Sequence, residues 1–418
     1  MIVNGTSPSD FLEPEPSIHP LARASIQSLP STEYASHDAE ERIEADLSLN
    51  INPAGAPQGV RAALADALTS THRYPFINKE LVAAISARAD CHPDQVLLGD
   101  GADGCLRLIS LAFLDKGDAV MIPIPTFHRY ELHARMMGAD VRFHRMTDFR
   151  LDATALLEDL REAGSKLLFL CTPNNPTGVP VDESTIREVC QGFKGLVVID
   201  EALADVSDVD NSHLVATFEN LMVVRSFSKA FGLASLRIGY VIGSASAIAA
   251  LRKVTSPFQV SGPAQAAALT AIQDADFIKS SRDFVDGERK RMTESLDSLG
   301  LSCSESVTTN LVIDTSPMKL TGTQCVEALM RQGVRVTAPE AFRLPHERFI
   351  RVSVATKDEN DLFLRASSDL AFRKKVENSQ SFPVDTKTIA ENSSEPSINI
   401  PTVDKQQRGR TRDGRNQH

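Results

Sequence analysis

Two side chains in this sequence, a lysine and an aspartate, stand where they could bind an aldehyde and a ring nitrogen. Lys229 follows an apolar run and lies among hydroxyl and glycine residues in SFSKAFG, so its pKa would fall inside a cleft that excludes water. A neutral amine is a nucleophile toward an aldehyde carbon. Asp200 ends the apolar run LVVID, where a carboxylate is costly to bury without a partner. A protonated pyridine nitrogen is such a partner.

Further polar groups could complete this site. They are an amide, two hydroxyls, a guanidinium and a glycine loop. Asn175 lies in PNNPTG, and we predict that its amide donates to a phenolic oxygen on the same ring, although these residues also favour an ordinary turn. Residues 99–104 match GxGxxG between a strand and a helix, where backbone N–H groups and the helix dipole favour a phosphate. Ser226, Ser228 and Arg237 are further candidates for donating hydrogen bonds to this phosphate.

The glycine loop by itself is also typical of a dinucleotide site. That site requires an acidic residue about 20 positions further on, at the end of the next strand. The next strand-like run ends at Pro125, whereas Asp118 lies at its start. The sequence therefore disfavours a nicotinamide cofactor and retains the phosphate.

These residues follow short apolar runs that alternate with segments of helical spacing. The runs are rich in Val, Ile and Leu and nearly continuous, which is typical of strands buried on both faces of a parallel sheet. Between two of them, Ile186, Val189, Cys190 and Phe193 fall at i, i+3, i+4 and i+7 of a helix. The alternation predicts an α/β fold, whose strand ends would bring the polar residues into one cleft.

The predicted domains follow from where this alternation begins and ends. We expect an N-terminal arm over 1–45, a large cofactor-binding domain over 72–295 and a disordered tail over 376–418, whose polar composition cannot bury a core. Residues 46–71 and 296–375 are expected to form a smaller α+β domain, because two strand-like runs near its end flank a helical segment.

Composition and charge disfavour several classes of protein. The 418 residues carry 44 basic and 55 acidic side chains, a net charge of −11, which argues against nucleic acid or an anionic membrane as the main partner. No apolar run is long enough to cross a membrane and the N-terminus does not read as a signal peptide, so we expect a cytoplasmic protein. The six cysteines show neither CxxC spacing nor a histidine at zinc spacing, so we predict no metal site.

Together these stretches resemble the fold-type I aminotransferases that depend on pyridoxal 5'-phosphate (PLP), and within them the histidinol-phosphate aminotransferase group. The most specific parts are CTPNNPTG at 171–178 and SFSKAFGLASLRIGY at 226–240. The resemblance implies a three-layer large domain around a mostly parallel sheet. It also implies transfer of an amino group between an amino acid, or an amino-acid-like amine, and a 2-oxo acid.

A PLP-dependent decarboxylase remains the alternative activity. The stretch LNINP at 49–53 resembles the threonine-phosphate decarboxylase branch. Eliminating or cyclising enzymes on the same scaffold are also open, because PLP supplies the electron sink in each case.

The resemblance implies a role for each matching residue. Lys229 would hold PLP as a Schiff base and then act as general acid and base, while Asp200 would pair with the pyridine nitrogen. Asn175 would bond the phenolic oxygen, and Phe127 looks like the aromatic residue that stacks on the ring. Arg351 looks like the arginine that clamps the substrate carboxylate, since its planar fork matches that group.

Three further implications concern the phosphate, the partner subunit and the substrate. The expected phosphate site consists of Ala102, Asp103, Ser226, Ser228 and Arg237. Tyr74 resembles a tyrosine that reaches the phosphate of the partner subunit, which implies a homodimer. Asn52 resembles a residue near the substrate.

Two positions depart from the family's pattern. Leu203 stands where the family often has a tyrosine that bonds the phenolic oxygen. Thr337 stands where histidinol-phosphate enzymes commonly have an arginine for the substrate phosphate, and Arg335 lies two residues earlier. The second departure argues against histidinol phosphate as the substrate.

Overall fold

The computed structural model describes residues 18–29, 42–345 and 347–379. The described residues as far as Lys375 form one compact unit. The predicted tail over 376–418 lies outside the described residues from 380 onward, as does most of the predicted arm.

The secondary structure alternates between strands and helices through the middle of the chain. The strands are β1 Ala45–Asp46, β2 Val96–Gly99, β3 Ala119–Ile124, β4 Asp140–Arg145, β5 Leu167–Cys171, β6 Leu196–Asp200, β7 Leu221–Ser226, β8 Gly239–Gly243, β9 Asn310–Asp314, β10 Val334–Arg335 and β11 Phe349–Ser353. The helices are α1 Ala24–Gln27, α2 Gln58–Leu68, α3 Lys79–Arg88, α4 Gly101–Phe113, α5 Arg129–Met136, α6 Ala153–Glu162, α7 Glu183–Gly192, α8 Ala245–Val254, α9 Gly262–Gln273, α10 Ala275–Ser298, α11 Gly322–Met330 and α12 Lys357–Ser379.

A seven-stranded sheet has the strand order β2-β8-β7-β6-β5-β3-β4. Its neighbouring strands are parallel except for the two pairs that include β8. Consecutive side chains of β5 alternate between two hydrophobic clusters, with Leu168 and Leu170 on one face and Leu167 and Phe169 on the other. Both faces are therefore buried, which explains the continuous apolar runs in the sequence.

Helices cover both faces of this sheet. Residues of α2, α3, α6, α7 and α9 belong to one hydrophobic cluster, and residues of α4, α5 and α8 belong to the other. The spacing that predicted a helix corresponds to α7, in which Ile186, Val189 and Cys190 are buried. The prediction of a three-layer α/β fold with a mostly parallel sheet is confirmed.

A separate hydrophobic cluster lies under the short strands of the predicted small domain. β9 pairs with β11 in antiparallel register, and β1 pairs with β10 in parallel register. The buried residues of this cluster include Leu47, Leu311 and Val352. The domain boundaries at 46–71 and 296–375 stay predictions.

The strand order places the candidate residues at one edge of the sheet. β5, β6 and β7 are parallel neighbours, so the segments that follow Cys171, Asp200 and Ser226 emerge side by side. β2 and β7 both run antiparallel to β8, so the start of α4 lies at this edge too.

Among the described residues, no helix is long and apolar enough to span a membrane.

Candidate active site

One cavity of about 430 Å³ lies at the carboxyl ends of these strands. It gathers most of the residues that the sequence singled out: Ala102, Asp103, Phe127, Asn175, Asp200, Ser226, Ser228, Lys229 and Arg237. Tyr74, Asn52 and Arg351 do not line it. Among the described residues, no group of three or more His, Cys, Asp or Glu side chains is placed to hold a metal ion.

Lys229 presents a desolvated amine to this cavity. Burial, followed by the positive charges of Arg351 and Arg237, lowers the pKa of Lys229 to about 8. Its Nζ donates to the backbone oxygen of Asn50 over 2.6 Å. A substantial fraction of the amine is therefore neutral near pH 8, as a nucleophile or a base requires.

A glycine allows the Lys229 loop to approach the segment that carries Asn50. Gly232 has a φ of +66°, and a Cβ added there would lie 1.8 Å from the backbone oxygen of Gly55. A larger residue at position 232 would push the two segments apart. This close approach is what brings the Asn50 carbonyl within reach of Lys229.

Asp200 lies at the end of β6, with only 4% of its surface exposed. Its Oδ2 accepts a hydrogen bond of 2.7 Å from the Tyr130 hydroxyl, and its Oδ1 accepts one of 2.9 Å from the Ala202 N–H. Burial raises the pKa of Asp200, while these two hydrogen bonds oppose the increase. The carboxylate would gain stability from a cationic partner in the cavity.

Tyr130 was missed by the sequence reasoning. It is fully buried, and its ring stacks on Phe169 with the ring centroids 5.2 Å apart. The signal that could have found it is its spacing of three residues from Phe127, which places both rings on the same side as the chain enters α5.

The start of α4, Ser228 and Arg237 converge at one end of the cavity. No side chain caps the first N–H groups of α4. Gly101 has a φ of +84°, and a Cβ there would lie 2.7 Å from an Arg237 nitrogen, so glycine permits this approach. Arg237 Nη1 also lies 3.4 Å from Ser228 Oγ. Free N–H groups, a hydroxyl and a guanidinium form an anion site.

The Asp103 side chain is bonded to Arg129 and His133 beside this anion site. Arg129 donates to its two oxygens over 2.8 and 2.9 Å, and His133 Nε2 lies 2.8 Å from Oδ1. Burial alone would raise the pKa of Asp103, but the hydrogen bonds to His133 and Arg129 hold it well below its usual range. Asp103 can therefore offer a phosphate its backbone N–H. Arg129, which also lines the cavity, was not predicted.

Phe127, Asn175 and Leu203 form other parts of the cavity wall. Phe127 packs against a small hydrophobic cluster that contains Phe342. Asn175 Oδ1 accepts a hydrogen bond of 3.3 Å from Asn310 Nδ2, which turns the amide nitrogen of Asn175 away from that contact. Leu203 is buried and contributes an apolar surface where a tyrosine would contribute a hydroxyl.

Arg351 lies behind the cavity wall, with 2% of its surface exposed. Its hydrogen-bond partner Asn50 lines the cavity, and Asn50 Oδ1 accepts from Arg351 Nη2. Asn52, by contrast, donates to the Ala230 oxygen over 2.8 Å and to Ser281 Oγ over 3.0 Å, so it holds the Lys229 loop in place. The structure thus brings Asn50 to the cavity and not Asn52.

Arg335 and Thr337 point to other protein groups. Arg335 Nη1 lies 3.8 Å from Asp46 Oδ2. Thr337 Oγ1 donates to the Ser48 oxygen over 2.9 Å and accepts from Arg351 Nη1 over 3.0 Å. Neither residue lines the cavity.

Tyr74 lies on the surface, with 75% of its area exposed. Its ring stacks on Phe258 with the centroids 4.8 Å apart, and Phe76 meets the same ring edge-on at 6.0 Å. These three rings form an exposed aromatic cluster.

The sequence pattern of the family described as aminotransferase class I and II matches residues 42–366. This chain belongs to that family. The aminotransferase is 35% identical over 329 residues to the histidinol-phosphate aminotransferase of Methanothermobacter thermautotrophicus, a match that covers 78% of this chain and 88% of the relative. It is 34% identical over 324 residues to the enzyme of the same name from Methanosarcina mazei, with 77% and 86% covered.

Solved structures agree with this assignment. The histidinol-phosphate aminotransferase from Sinorhizobium meliloti, crystallised in complex with pyridoxal-5'-phosphate, superimposes with a TM-score of 0.76 at 25% identity, covering 85% of this aminotransferase and 99% of that chain. A mutant aspartate aminotransferase from Thermus thermophilus, 24% identical with a TM-score of 0.71, covers 80% and 97% and shares the fold.

Proposed function

We propose that this aminotransferase uses PLP to transfer an amino group between an amino acid, or an amino-acid-like amine, and a 2-oxo acid. The observation that carries the proposal is the meeting of a desolvated amine, Lys229, and a buried carboxylate, Asp200, in one cavity. Family membership supports the same reaction.

The residues present fit PLP at three points. Asp200 is a buried carboxylate whose raised pKa reflects lost hydration, and a protonated pyridine nitrogen would compensate that loss. The uncapped N–H groups of α4, with Arg237 and Ser228, suit its phosphate. Lys229 lies in the same cavity and suits its aldehyde.

Each residue then has a distinct role. Bound PLP supplies the electron sink for the reacting carbon. Lys229 would hold the aldehyde carbon of PLP through Nζ, with loss of water, and its amine, once the substrate amine has replaced it, would carry a proton to and from the substrate carbon. The Asp200 carboxylate would favour a proton on the ring nitrogen. Phe127 would cover the ring and exclude water, and the Asn175 amide would donate to the phenolic oxygen.

Two observations favour different donors. The names of the relatives favour histidinol phosphate. The hydrogen bond from Thr337 to Ser48 and the ion pair of Arg335 with Asp46 favour a donor without a phosphate group, because neither residue lines the cavity. A donor panel must therefore contain both kinds of amine.

We also propose a homodimer in which Tyr74 reaches the phosphate site of the partner subunit. The exposed cluster of Tyr74, Phe76 and Phe258 supports this, because contiguous exposed aromatic surface marks interaction sites. We propose in addition that the domains divide at the boundaries expected from the sequence. We also propose that the protein is cytoplasmic.

The test begins with the visible spectrum of the purified protein reconstituted with PLP. We expect a cofactor band that is absent in Lys229→Ala and present in Lys253→Ala, a control at an exposed lysine of α8. The band should convert to that of the pyridoxamine form when a competent amino donor is added without an oxo acid. Release of carbon dioxide without this conversion would favour the decarboxylase alternative. Failure to bind PLP would refute the proposal.

A further inference from the structure

Asn50 connects the predicted carboxylate-binding arginine with the predicted catalytic lysine. Its side-chain Oδ1 accepts hydrogen bonds from Arg351 Nη2 and, over 2.8 Å, from Ser353 Oγ. Its backbone oxygen accepts from Lys229 Nζ over 2.6 Å. Asn50 lines the cavity, whereas Arg351 does not. A substrate in the cavity would therefore meet Asn50 before it met the guanidinium.

Arg351 has other acceptors, among them Ser353 Oγ, which accepts from Nη2 over 2.6 Å. Nη1 donates to the Ser48 oxygen over 2.8 Å and to Thr337 Oγ1 over 3.0 Å. Nη2 also donates to Asn310 Oδ1 over 3.1 Å, and Asn310 is fully buried. Of the residues that accept from the Arg351 guanidinium, Asn50 is the one that lines the cavity.

A carboxylate would compete successfully for the place of the Asn50 amide oxygen. Hydrogen bonds in which both donor and acceptor are ionised are shorter and stronger than those with a neutral acceptor, and the guanidinium fork fits two carboxylate oxygens. The Asn50 side chain is short and has few rotamers, so it can rotate away without movement of its backbone.

We propose that Asn50 is a specificity-determining residue whose amide oxygen occupies the Arg351 fork until a substrate carboxylate displaces it. This inference rests on the proposed function, because it takes Arg351 as the carboxylate site. Displacement moves the side chain of Asn50 and leaves its backbone in place. The affinity for a carboxylate then depends on how much more strongly Arg351 binds the carboxylate than it binds the amide oxygen of Asn50.

The test measures how glutarate binds to the PLP-loaded enzyme by calorimetry. Glutarate carries carboxylates but neither an amine nor an oxo group, so it binds without reacting. Asn50→Ala removes the competing oxygen, and we expect glutarate to bind roughly tenfold more tightly, the equivalent of one hydrogen bond to a charged group. Asn50→Ser, which is too short to reach Arg351, should act in the same direction. Asn50→Asp fixes a carboxylate on Arg351 and should abolish binding.

Two variants locate the effect. Arg351→Gln should abolish glutarate binding in every background. Asn310→Ala removes an acceptor from the same Arg351 nitrogen behind the cavity wall, so it should not tighten binding. Weaker binding in both Asn50→Ala and Asn50→Ser, or tighter binding in Asn310→Ala, would overturn the inference. The PLP content of each sample is measured first by absorbance. Failure of PLP to bind refutes the proposed function, whereas PLP-loaded samples whose glutarate affinity does not change as described overturn this inference alone.

Discussion

The hydrogen bond from Tyr130 to Asp200 allows a quantitative test of how this site holds its cofactor. Tyr130→Phe removes the hydroxyl that donates to Asp200 Oδ2 over 2.7 Å and keeps the ring that stacks on Phe169. A hydrogen bond to a buried charged group contributes about 1.5–3 kcal/mol. If the Asp200 carboxylate pairs with the pyridine nitrogen, the variant should bind PLP roughly 10- to 150-fold more weakly.

The same hydrogen bond also predicts the direction in which the pH dependence of PLP binding changes. Burial raises the pKa of Asp200, and the Tyr130 hydrogen bond opposes that increase, so the variant should have a still higher pKa at this carboxyl. The ionic contribution of Asp200 is present above its pKa and is lost as the pH falls through it. Tyr130→Phe should therefore release PLP at a higher pH than the wild type when both are acidified.

The assay is the dissociation constant of PLP, measured by absorbance after equilibrium dialysis over a range of pH. Tyr240→Phe is the matched control, since Tyr240 is also a buried tyrosine but is not a hydrogen-bond donor to Asp200. Unchanged PLP affinity in Tyr130→Phe, or an equal loss in Tyr240→Phe, would refute the reasoning about Asp200.

Four further predictions follow from the same geometry. Arg351→Gln removes a positive charge that, after burial, lowers the pKa of Lys229 to about 8. The pH midpoint for acylation of Lys229 in the apoenzyme should rise, and an unchanged midpoint would contradict this. Thr337→Val removes the hydroxyl that accepts from Arg351 Nη1, so the KM for a 2-oxo acid should rise about fivefold with kcat nearly unchanged. Leu203→Tyr supplies the hydroxyl that the family often has, so a spectral pH titration should show a lower pKa for the Lys229–PLP linkage than in the wild type. A higher pKa would contradict this. Tyr74→Ala should lower PLP affinity only if the dimer forms as proposed, which sedimentation and PLP titration of the same samples would establish together.

The sequence by itself determined the fold class and most of the cavity. Strands buried on both faces read as continuous apolar runs, and α7 shows its buried positions at helical spacing, because both signals depend on neighbours in the chain. The residues directly after β5, β6 and β7 converge wherever those strands are parallel neighbours. The sequence alone therefore predicts that Asp200, Asn175 and Lys229 share one site, and all three line the cavity.

The tertiary structure decided which polar groups meet inside that site. Tyr130 reaches Asp200 across 70 positions of sequence, and Asn50 reaches Arg351 across 301. Such contacts depend on strand order and on the packing of separate segments, which leave no periodic trace in the sequence. For the same reason the sequence cannot tell whether Asn50 or Asn52 lines the cavity, because both are asparagines in one short stretch. Tertiary contacts separate them: Asn50 meets Lys229 through its backbone oxygen, and Asn52 bonds the Ala230 oxygen and Ser281.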